Sequence, residues 1–196
     1  MTQRLIAFLP FVASVPDSAM TFLREVGARG YAVNPILCDG VFSACDVHLR
    51  REQRPANTCL LCQASAAGRM AQWKMPYRWL GRWHAPEDTQ TAGAWVASLK
   101  PQDYPNAADN RWPLGEWIAD SVQRHLGAEP NLADPSAAMI FASHLFSARL
   151  AADALNRMYG DTRADAIFVA ESRSALARTA LGVAKDHALP VLLPES

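Results

Sequence analysis

Leu5-Ile6-Ala7-Phe8-Leu9-Pro10 is the stretch that decides the fold class of this 196-residue chain. Five consecutive apolar residues closed by a proline read as a strand covered on both faces, as strands inside a parallel sheet are. Working outward, Pro16-Asp17-Ser18 supplies helix-starting chemistry, and Met20, Phe22, Leu23 and Val26 form an apolar stripe that ends at Gly30. Tyr31 to Leu37 then predicts a second strand despite Pro35, so the chain opens in the order strand, helix, strand.

The second half repeats this grammar. Asp165 leads into Ala166-Ile167-Phe168-Val169-Ala170, a helix is predicted from Ser174 to His187, and Pro190-Val191-Leu192-Leu193 closes another crossover. Between the halves, Pro113 with Leu114, Trp117, Ile118 and Val122 predicts a helix to about Leu126. Asp134-Pro135 starts another, with Ile140, Phe141, Leu145, Leu150, Leu155 and Met158 in a long amphipathic pattern ending at Gly160. Trp79 and Trp83 are spaced as one helical turn, and packing on the core is favoured for them over a sugar-stacking platform. Residues 86 to 110 are polar and weakly patterned, so only short helical turns and loops are expected there. The expectation is an α/β class, a Rossmann-like parallel sheet with flanking helices, as a single domain over residues 1–196.

Half of the residues are apolar, enough for a full core, and 19 basic side chains balance 19 acidic ones. No overall field draws such a chain toward nucleic acid, so no nucleic-acid partner is expected. The opening apolar run is too short for a signal peptide or a transmembrane segment, which predicts a cytoplasmic protein.

All four cysteines, Cys38, Cys45, Cys59 and Cys62, fall in one window. In a reducing compartment such a cluster favours metal over disulfides, and the two-residue spacing of Cys59-Leu60-Leu61-Cys62 lets successive sulfurs turn toward one ion. Residues 38–65 lack periodicity and are expected to be a cysteine-rich insertion stapled by structural zinc, an iron–sulfur cluster being the minority alternative. His48, in the charged run His48-Leu49-Arg50-Arg51-Glu52, is a substitute ligand. The sequence holds no glycine-rich phosphate cradle, nucleophile elbow or paired-histidine metal motif.

Taken in order, Leu9-Pro10, Leu37-Cys38-Asp39-Gly40 with Cys45, Cys59-Leu60-Leu61-Cys62, Trp112-Pro113-Leu114-Gly115-Glu116, Ser121-Val122-Gln123-Arg124, Ala166-Ile167-Phe168-Val169 and Leu189-Pro190-Val191 through Glu195 give the chain a resemblance. It resembles the amino-terminal half of bacterial capsule and surface-polysaccharide glycosyltransferases of the two-Rossmann-domain, GT-B-like kind. Glu171-Ser172-Arg173 stands where such proteins often carry an Asn-Gly-Arg turn.

The resemblance implies an acceptor-side domain or subunit in polysaccharide biosynthesis, inactive without a donor-binding half, with a sugar acceptor as substrate. An inverting transferase needs a base, and Asp17 and Glu116 are the candidates, although helix-start roles are favoured for Asp17 and open to Glu116. Glu171 and Arg173, at the tip of the later strand, are candidates for holding the acceptor, against simple mutual pairing. A noncatalytic zinc-stabilised interaction module, docking through exposed tryptophans, is the competing expectation.

Overall fold

The computed structural model describes residues 2–12, 15–40, 44–46, 58–109 and 111–194. Five parallel strands, β1 (Arg4–Leu9), β2 (Ala32–Leu37), β3 (Arg78–Trp79), β4 (Ala166–Val169) and β5 (Val191–Leu192), lie in the order β3-β2-β1-β4-β5. The run that opened the sequence is thus the central strand. Phe8 is in register with Ile36 on one side and Val169 on the other.

The helices are α1 (Asp17–Ala28), α2 (Thr58–Gln72), α3 (Pro86–Ser98), α4 (Leu114–Leu126), α5 (Pro135–Thr162) and α6 (Ala175–Asp186), with short 3-10 segments at Leu80–Trp83 and Pro101–Asn106. Alternate residues of a strand point to opposite faces, and β1 uses both. Leu5, Ala7 and Leu9 pack with Met20 and Leu23 of α1 and Met70 of α2. Ile6 and Phe8 join Ile118 of α4, Phe141 and Leu155 of α5, and Leu176 of α6 on the other face. The α/β expectation, a parallel sheet flanked by helices, therefore holds.

Local chemistry explains the helix starts. Asp134 caps α5 by accepting from the Ser136 amide at 2.9 Å, with Pro135 in the first turn. Ser174 caps α6, its hydroxyl accepting from the Ala177 amide at 3.1 Å. The carboxylate of Asp88 reaches back to the Ala85 amide at 2.8 Å and holds the start of α3.

Three expectations need correction. Cys59-Leu60-Leu61-Cys62 is the first turn of α2 rather than an irregular knuckle, so the expected 38–65 insertion gives up its last eight positions to a helix that packs on the sheet through Ala66 and Met70. Trp79 ends β3 and Trp83 lies in the following 3-10 turn, so the two do not share a helical face; Trp83 is buried and its ring N–H donates to Asp161 at 3.1 Å. The polar stretch 86–110 contains a full helix, α3, beyond the short turns expected. His48 and the rest of its charged run lie outside the described residues.

Candidate functional site

In an open doubly wound sheet, ligands bind outside the carboxyl ends of the strands, where the strand order reverses. Here the reversal falls between β1, whose crossover runs to β2, and β4, whose crossover runs to β5. Four segments meet at that edge: Pro10–Val12 after β1, Cys38–Gly40 after β2, Ala170–Ser174 after β4, and Ala44–Asp46.

The last of these travels furthest. The Ala44 amide donates to the Ser147 hydroxyl of α5 at 2.9 Å. Asp46 then accepts from the Ser121 hydroxyl and an Arg124 guanidinium nitrogen, both of α4, at 2.6 Å each, and from the Ala175 amide of α6 at 3.1 Å. The chain that leaves β2 thus reaches the far side of β1, at the start of α6. Ser121 is fully buried and also accepts from the Ala175 amide at 2.8 Å, while Arg124 donates to the Arg173 carbonyl at 2.9 Å. Asp46 therefore caps α6 and neutralises Arg124 in one half-buried network.

Asp46→Ala should cost about 2 kcal/mol, the loss of a helix cap together with charge-assisted hydrogen bonds. Chemical denaturation checks this; a variant within a few tenths of a kcal/mol of the parent would remove the network from the account.

Of the residues singled out in the sequence, Glu171 sits at this edge and is engaged locally. One oxygen accepts from the Arg173 and Ser174 amides at 2.8 and 3.0 Å, and the other from the Ser174 hydroxyl. It grips the backbone of Arg173 rather than its guanidinium, so in place of mutual pairing, one of the two readings, Glu171 builds a turn. Asp17 is the first residue of α1, makes no cap hydrogen bond, and accepts from Arg69 at 2.7 Å with most of its side chain in solvent. Glu116 is exposed in the first turn of α4. Ser121 touches the start of α6 whereas Trp117 lies against Gly182 near its other end, so Glu116 occupies the end of α4 away from the carboxyl edge. The structure does not bring Asp17 and Glu116 together.

The cysteines converge. The Gly40 amide donates to Cys38 Sγ at 3.4 Å, and a Cβ added to Gly40 would stand 3.3 Å from Cys59 Sγ. Burial pushes the Cys38 thiol up to about 12, and nearby Cys45 and Cys62 push the same way. Burial and then the charge of Cys59 raise Cys62. All four are thiols. Among the described residues, however, no group of three or more His, Cys, Asp or Glu is arranged to hold an ion, so the geometry gives the expected metal module no support.

Sequence reasoning passed over Asp46 and quoted Asp39, Ser121 and Arg124 only within motifs, without giving them a role. Asp39 accepts from the Gly81 amide at 2.9 Å and its carbonyl accepts from the Gln63 side chain, tying the end of β2 to the end of β3 and to α2. Ser121 and Arg124 are three apart on one helix, a legible spacing, but their partner Asp46 lies 75 positions away from Ser121. None of the tryptophans is among the exposed large apolar side chains of the described residues, which takes away the surface that the interaction-module reading needed. No helix of the described residues is long and apolar enough to cross a membrane.

The fold is α/β, a doubly wound parallel sheet whose strand order reverses between β1 and β4. No family model and no curated protein matches the chain. Solved structures do. A cyclodipeptide synthase from Fluoribacter dumoffii is similar with a TM-score of 0.54 at 10% identity, over 97% of this chain and 89% of that one. AlbC, a cyclodipeptide synthase from Streptomyces noursei, is similar with a TM-score of 0.51 at 8% identity, over 100% of this chain and 96% of that one. At these identities the likeness is one of fold.

These matches overturn the glycosyltransferase resemblance and the acceptor-side assignment, and leave the donor-binding partner and the sugar acceptor without support. The physical reason is that the quoted pieces were mostly strand ends and helix starts, which any doubly wound sheet needs in that order.

Proposed function

We propose that the chain is an acyl-transfer enzyme that joins activated amino acids, of the cyclodipeptide-forming kind, with its site at the carboxyl edge between β1 and β4. The likeness in fold to two cyclodipeptide synthases, nearly end to end in both directions, is the observation that carries this reading.

Chemistry limits the substrate. Joining two amino acids requires an acyl carbon that is already activated, and the sequence has no glycine-rich cradle with which to activate it from a nucleoside triphosphate. The substrate therefore arrives as an ester, the form in which amino acids are carried on tRNA. Zero net charge gives the chain no general hold on a polyanion, so recognition centres on the acyl end. At the edge, Glu171 and the Asp46 network fix the turn after β4 and the start of α6, which leaves the exposed Arg173 side chain as a cation beside the reacting groups. Such scaffolding holds an acyl group and an attacking amine in register, the entropic part of the barrier.

Incubating the purified chain with a full set of aminoacyl-tRNAs should give cyclic dipeptides detectable by mass spectrometry, well above the uncatalysed background. Ester consumption and product both at background would sink the proposal.

A further inference from the structure

We infer that Cys59 and Cys62 form a thiol–disulfide exchange site for small-molecule disulfides of the glutathione kind. The two residues lie three apart in the first turn of α2, where helix geometry sets their Cα atoms about 5 Å apart, inside the range of about 4.4–6.8 Å that a disulfide spans.

A second, independent feature is the packing around them. Gly40, with φ +77°, has its backbone against Cys59 and its amide on Cys38 Sγ, so the end of β2 fixes where the Cys59 sulfur sits. The charge of Cys59 reaches the Cys62 thiol and, after burial, pushes it up. Both are only partly buried, and Leu60 and Leu61 between them are 64% and 60% exposed, so this turn meets solvent. Cys38 is the deeper thiol, packed against the main core.

The exchange balances without help from the rest of the protein. The Cys59 thiolate attacks one sulfur of the oxidised small molecule and expels one thiolate. Cys62 then gives up its proton, attacks the Cys59 sulfur of the mixed disulfide and expels the second. The protein dithiol loses two electrons and two protons, and the reagent becomes two thiols.

The test uses the whole chain, reduced and then equilibrated with oxidised glutathione, followed by tryptic mapping. The peptide carrying Cys59 and Cys62 should lose two hydrogens, while the separate peptide carrying Cys38 and Cys45 stays unchanged. Cys62→Ser, with its fold verified by circular dichroism, should trap glutathione on Cys59. Three results would overturn the inference: all four thiols surviving excess oxidant, Cys38 and Cys45 pairing first, or a near-stoichiometric metal shielding the sulfurs.

Discussion

Gly115→Ala is expected to lower stability by about 3 kcal/mol, the upper part of the range for forcing extra atoms into packed structure. A Cβ at this position would stand 2.2 Å from the Tyr104 carbonyl oxygen and 2.6 Å from that of Pro105. Both obstacles are backbone and cannot rotate away. The amide of Gly115 also donates to the Ala107 carbonyl at 2.8 Å, so the start of α4 is held against the 3-10 segment from two directions. Relief requires α4 to move, and α4 carries Ser121 and Arg124 to the Asp46 network at the carboxyl edge. In a domain of this size the loss corresponds to a fall of about 6–12 °C in the melting temperature. Calorimetry checks it, and an unchanged melting temperature would show that the two segments do not pack as described.

Phe8→Ala should be larger still, about 3–5 kcal/mol, as a fully buried phenylalanine leaves both its transfer free energy and a cavity behind. Phe8 lies near the carboxyl end of the central strand with Ile36 and Val169 beside it, so the void would open next to the strand reversal. Against a total of about 5–15 kcal/mol, such a loss removes a large share of the folded population. Phe22→Ala is the control: that ring is 38% exposed and touches Phe168 at a centroid distance of 5.6 Å, so its loss should cost distinctly less. Equal losses for the two would place Phe8 outside the main core.

The elements that were legible in the sequence are those whose apolar pattern is set by one dominant environment. β1, β4 and the stripe of α5 are read from composition alone, because burial on both faces or on one helix face leaves a clear period. Asp134-Pro135 likewise announced the start of α5. α3 was hidden because every residue from Glu87 through Thr91 is polar, including the buried Asp88, so its narrow inward stripe of Asp88 and Ala92 carries no apolar period. A helical pattern is legible from Ala64 onward, but the first turns of α2 were hidden for another reason: two cysteines at helical spacing also satisfy a metal knuckle, and the contacts of Ala66 and Met70 with the sheet separate the two readings.

At the site, the strand tips were found through topology, and Glu171 and Arg173 with them. The Asp46 network was not, because it joins a loop to two helices far along the chain, and no local pattern records such a meeting. The glycosyltransferase resemblance failed where short motifs were asked to specify activity as well as strand order.

One consequence follows from the pairing of β1 with β4. The Arg4 amide meets Asp165 across 161 positions of sequence, so the innermost strand of the sheet precedes its second neighbour by most of the chain. At a synthesis rate of roughly 5–20 residues per second, one rim of β1 waits about 8–30 s on the ribosome for its neighbour. Closing so long a loop also makes this junction a slow step in refolding. During that interval the nascent chain presents an adhesive hydrophobic ribbon, and its yield in the cell should depend on whatever shields that ribbon until Ala166 emerges.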